Sequence, residues 1–132
     1  YGDWPGSGEI DIMENVGFNP DTILATVHTK RYNHVIGTQT SGKMHVPTAY
    51  TGFHVYGLEW DENELRAYID GKHYYTHKNE HNGPDTWPFD KRFHLILNLA
   101  VGGNWGGAMG IDENGFPKVM EIDYVRVFQK EE

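Results

Sequence analysis

The chain has 132 residues, 38% hydrophobic and 14% aromatic, which suffices for one buried core and is too apolar for disorder. Its 11 basic and 19 acidic residues give a formal net charge of -8, so nucleic acid, anionic membrane surfaces and polyanionic substrates are disfavoured as partners. It has no cysteine, which excludes disulfides and thiolate chemistry, and no apolar run near the ~18 residues of a membrane helix, so a soluble protein is expected.

In chain order, short runs rich in Val, Ile, Tyr, Phe and Thr alternate with clusters of Gly, Pro, Asn and Asp, the pattern of strands joined by turns. Strands are expected near Glu9 to Glu14, Thr22 to Thr29, Phe53 to Trp60, Glu64 to Ile69 and Lys72 to His77. Asp70-Gly71 separates the last two and marks a tight hairpin, because glycine tolerates the positive φ of such turns. Two further strands are expected at Arg92 to Ala100 and Val119 to Phe128. In the second, Met120, Ile122, Tyr124, Arg126 and Phe128 alternate with Val119, Glu121, Asp123, Val125 and Val127. Between them Gly102, Gly103, Gly106, Gly107 and Gly110 mark a loop that turns sharply or approaches something closely. No stretch holds a helical period for ten residues. The expected fold is all-β, an antiparallel sandwich.

The first strand carries the most information. Gly8-Glu9-Ile10-Asp11-Ile12-Met13-Glu14-Asn15 places three carboxylates within six residues. In a regular strand Glu9 and Asp11 share a face, while Glu14, five positions from Glu9, points to the other. One inserted residue at Ile12-Met13, a β-bulge, returns Glu14 to the same face. Three converging acids repel, so at least one holds its proton at neutral pH. Retaining glycoside hydrolysis uses that asymmetry, with one carboxylate attacking and one carboxylic acid releasing the leaving oxygen. Charge on a solvent-facing strand is the competing explanation.

Trp4-Pro5-Gly6-Ser7-Gly8-Glu9-Ile10-Asp11-Ile12-Met13-Glu14 resembles the signature of glycoside hydrolase family 16 in its laminarinase-type branch. The resemblance continues through Ala25 to His28, Tyr56 to Trp60, Tyr68 to Gly71, Phe93 to Gly103 and Ile122 to Phe128. It implies a concanavalin-like jelly roll of two curved antiparallel sheets, with polysaccharide in the concave cleft and β-glucosidic bonds cleaved with retention. Glu9 then matches the nucleophile, Asp11 the assisting acid and Glu14 the acid/base. The bulged spacing favours an endo-1,3-β-glucanase that tolerates mixed-linkage chains, exported to an extracellular or periplasmic location. Members carry a long segment ahead of this motif. The 1–132 piece is therefore expected to be part of one catalytic domain lacking its amino-terminal strands, completed by a second chain or a strand-swapped dimer, or else a cropped part of a larger protein.

Trp4 and Trp105 are candidates for stacking on glucose rings, against the alternative of core packing. The resemblance points His28 into the cleft and sets Asn98 across the concave sheet as a sugar contact. The other seven histidines are read as surface or packing residues. Asp123 resembles a residue that helps hold a structural calcium, although calcium takes ~6 to 8 oxygens. No cofactor is expected for catalysis. A lectin on the same sandwich, a relative acting on agarose, and a non-catalytic assembly fragment are the alternatives. A lectin has no use for the spaced acids.

Overall fold

The computed structural model describes residues 2–130, which divide into two compact units, one ending at Leu95 and one beginning at Ile96. The first unit holds six strands: β1 (Glu9–Val16), β2 (Asn19–His28), β3 (Thr40–His45), β4 (Tyr56–Trp60), β5 (Glu64–Ile69) and β6 (Lys72–Lys78). They form two three-stranded antiparallel sheets, ordered β1-β2-β3 and β4-β5-β6.

Period-two alternation decides which side chains join the core. In β2, Ile23, Ala25 and Val27 are almost wholly buried, and in β5 so are Leu65, Ala67 and Ile69. Val27 and Leu65 pack with Trp87 and Phe89 in one cluster, and Ile23 and Ile69 pack with Val46 in another. Both clusters join residues of the two sheets, so this unit is a sandwich, as the alternation implied. Removing a side chain such as Phe89 or Leu65 from water contributes about 1.5–3 kcal/mol. On the outer face of β5, Arg66 bridges Glu59 at 3.3 Å and Glu64 at 3.2 Å, exposed pairs that add little.

The Asp70-Gly71 hairpin forms as expected, with φ of 50° and 77°. Asp70 also accepts from the Val55 amide at 2.9 Å and faces His54 Nδ1 at 2.7 Å, which ties the turn to the chain entering β4. β3 was not foreseen. Its inward positions are Thr40, Gly42 and Met44, so a threonine, a glycine and one long apolar side chain replace the usual apolar run.

In the second unit the chain turns through a short helix, α1 (Gly103–Gly106), and a 3-10 turn at Glu113–Gly115. The strands expected at Arg92 to Ala100 and Val119 to Phe128 are not formed among the described residues. A strand exists only when its amides and carbonyls meet a neighbour, and no ladder pairs these segments. Leu95, Leu97, Val119, Val125, Val127 and Phe128 are all exposed. Alternation specifies faces but supplies no partner.

Candidate active site

β1 and β2 pair in a register that aligns Glu9 with His28, Ile10 with Val27 and Asp11 with Thr26, and then shifts so that Glu14 faces Leu24. Three steps along β1 thus match two along β2, which is the bulge expected at Ile12-Met13. Partners 28, 26 and 24 lie on one face of β2, so Glu9, Asp11 and Glu14 share a face of the sheet. Ile10 and Val27 turn the other way, toward the core cluster. The bulge therefore lets one strand serve the core and a row of three acids together.

Each acid is held differently. Ser7 donates its amide to the Asp3 carbonyl and Gly8 to the Pro5 carbonyl, both at 3.1 Å, so the chain before β1 folds back. Trp4 Nε1 then donates to Glu9 Oε2 at 2.7 Å. The turn needs glycine at Gly8, where φ is 80° and a Cβ would lie 2.6 Å from Pro88 Cγ. Thr26 Oγ1 donates to Glu14 Oε2. Between them, burial first, and then the charges of Glu14 and Glu9, push Asp11 up to about 8. Burial lowers the pKa of His28, with Glu9 acting the other way. His28 Nε2 lies 3.5 Å from Asp11 Oδ2. At neutral pH this is a contact between a carboxylic acid and a neutral imidazole rather than an ion pair.

The raised pKa has a stability consequence. The fold binds the Asp11 proton more tightly than the unfolded chain, whose carboxyl titrates near 3.8. The stabilisation is complete below pH 4 and is lost as pH rises toward 8. Asp11→Asn, which cannot ionise, should gain on the parent across that window, by on the order of 5 kcal/mol at pH 8. Paired denaturant titrations at pH 4 and pH 8 check this. An equal difference between parent and variant at both pH values would contradict it.

The Trp4, His28 and His34 rings form a cluster, with centroids 5.8 Å apart for Trp4 and His28, 4.9 Å for Trp4 and His34 and 5.1 Å for His28 and His34. Trp4 is 41% exposed, which leaves ring surface for a ligand. His34, grouped with the surface or packing histidines, is exposed and packs its ring against Trp4 and His28. Buried Asn33 places it: its side-chain oxygen accepts from the Val35 and Ile36 amides, and its Nδ2 donates to the Thr29 and Lys30 carbonyls. The available signal was the Asn, Thr and Gly density of residues 29–38, a built loop leaving the His28 end of β2.

Asn98, Trp105 and Asp123 belong to the second unit. Asn98 is exposed in a segment without regular secondary structure, Trp105 is 44% exposed in α1, and Asp123 is exposed. Among the described residues, the group able to share a metal ion is Glu9, Asp11 and His28, and Asp123 is not part of it.

A family model described as "Glycosyl hydrolases family 16" matches residues 2–126. A beta-glucanase from Rhodothermus marinus is 54% identical over 131 residues, covering 96% of this chain and 46% of that protein. The solved laminarinase structure from Rhodothermus marinus superposes with a TM-score of 0.86 at 53% identity, over 89% of this chain and 49% of that one. A solved non-specific endo-beta-1,3(4)-glucanase, carrying 1,3-beta-D-cellobiosyl-glucose at its active site, gives a TM-score of 0.84 at 46% identity, over 87% and 45%. The chain thus spans about half the length of these relatives.

Proposed function

Because the chain belongs to glycosyl hydrolase family 16, we propose that it carries the catalytic strand of an endo-acting β-1,3-glucan hydrolase that also accepts mixed-linkage β-1,3-1,4-glucan. Residues 1–132 are part of one catalytic domain. A second segment or a second copy completes the sheets, and the polymeric substrate places the enzyme outside the cytoplasm. The supporting relatives are the glucanases described above, one with a glucan fragment at its active site.

The observation that carries the proposal is the register shift that sets Glu9, Asp11 and Glu14 on one face, with Asp11, whose carboxyl burial pushes up to about 8, in the middle. Glu9 attacks the anomeric carbon while Glu14 protonates the departing glycosidic oxygen, and a covalent glycosyl-enzyme forms. Glu14 then takes a proton from water, which attacks the same carbon and frees Glu9 with net retention. Asp11, as a neutral acid, places a proton rather than a third charge beside the nucleophile. Trp4 orients Glu9 and offers its exposed face to a sugar ring. Asn98 and Trp105 are proposed as further sugar contacts. Asp123 supplies one carboxylate to a structural calcium whose other oxygens come from elsewhere in the domain.

A reducing-sugar assay of the complete protein on laminarin, lichenan and agarose tests the substrate. Laminarin should be cut fastest, lichenan more slowly and agarose not at all. Faster release from agarose would overturn the assignment. A solution mass measured beside it should show whether a second copy completes the fold.

A further inference from the structure

The acid row has a capacity that hydrolysis does not use. Glu9, Asp11 and His28 each present one ligand atom, and these atoms lie within 4.8 Å of one another. His28 is only 7% exposed and its Nε2 is aimed at Asp11 Oδ2, 3.5 Å away. His28 Nδ1 and Asp11 Oδ2 are both buried with no hydrogen-bond partner among the described residues. Buried polar atoms are normally satisfied, so the unpartnered Asp11 Oδ2, with His28 Nε2 3.5 Å from it, marks a place that gains from receiving a ligand, while His28 Nδ1 lies on another edge of the ring.

We propose that Glu9, Asp11 and His28 bind a borderline divalent transition ion of the zinc type, which occupies the cleft in place of glucan. Zinc takes nitrogen and carboxylate oxygen at ~2.0–2.2 Å, which puts neighbouring ligands of a tetrahedron roughly 3.4 Å apart. His28 Nε2 and Asp11 Oδ2 are already at that spacing, and the remaining separations, 4.8 Å at most, close by no more than about 1.4 Å, a movement within reach of the Glu9 side chain. Trp4 Nε1 on Glu9 Oε2 supplies the outer contact that fixes a ligating carboxylate. The imidazole selects against calcium and magnesium, which take oxygen. The ion exchanges for the proton on Asp11 and leaves its fourth position open to solvent. That occupancy silences hydrolysis rests on the proposed function; the binding itself does not.

Calorimetric titration of the complete protein with zinc chloride, without glucan, tests the site against magnesium chloride and calcium chloride. One zinc per chain should bind in the micromolar range, with magnesium and calcium at least about 100-fold weaker. His28→Gln and Glu9→Gln should each weaken zinc at least about tenfold, and circular dichroism confirms that each variant is folded. If one is not, the other decides. No zinc binding, equal binding of magnesium, or undiminished zinc affinity in a folded variant would overturn the proposal. Zinc binding by a protein that fails to cut laminarin would leave the site standing and remove only the hydrolase.

Discussion

Glu9→Gln, made in the complete protein, is expected to keep the fold and to lower laminarin hydrolysis at least about a thousandfold. Glutamine matches glutamate in shape, and its amide oxygen can still accept from Trp4 Nε1, the bond that holds Glu9 at 2.7 Å. What it cannot do is attack carbon as an anion, and without that step no glycosyl-enzyme forms. The change lies at the start of β1, and Glu9 belongs to neither buried cluster. Its unfolding midpoint should therefore stay close to the parent's. Turnover near the parent's would remove Glu9 from the nucleophile's role.

Gly42→Ala is expected to have the largest effect on folding of any single methyl addition outside the site. A Cβ at Gly42 would lie 2.4 Å from Tyr75 Cβ and 3.0 Å from the Tyr74 carbonyl oxygen. Neither is the far end of a flexible side chain, so β3 and β6 must move apart. That movement also strains the Thr40 contacts to the Tyr75 hydroxyl at 2.8 Å and to His77 Nδ1 at 3.0 Å. Overpacking of this kind costs about 3 kcal/mol or more, which lowers Tm by roughly 10 °C for a domain of this size. Gly57→Ala is the control, since its Cβ would meet only Tyr68 Cβ at 3.7 Å. Thermal melts with equal midpoints for the two variants would contradict the close approach.

These two glycines show what could be read from residues alone and what could not. β5 was legible because Leu65, Ala67 and Ile69 alternate cleanly with polar residues. The bulge was legible because three acids on one face required it, and the register supplies it. β3 was not, because its contribution to packing is partly an absence: Gly42 makes room for Tyr75 rather than filling space. Val119 to Phe128 erred the other way, since its alternation is clear but no ladder forms there among the described residues. The packing of His34 on Trp4 was not legible because it depends on a loop closed by Asn33, and no periodicity reports such a return. The proton on Asp11 was half legible: like-charge repulsion gave the direction, whereas burial, its largest cause, needed the fold.

The bulge sets Glu9 and Glu14 on one face, and we propose that Glu9 attacks and Glu14 carries the proton. The most direct measurement is the anomeric configuration of the sugar azide formed when Glu14→Ala turns over in sodium azide. Removing the proton carrier leaves a glycosyl-enzyme that azide can attack, so rate rescue with a β-configured azide is expected. An α-configured azide means that azide has replaced the nucleophile itself, and would contradict the assignment of the two glutamates.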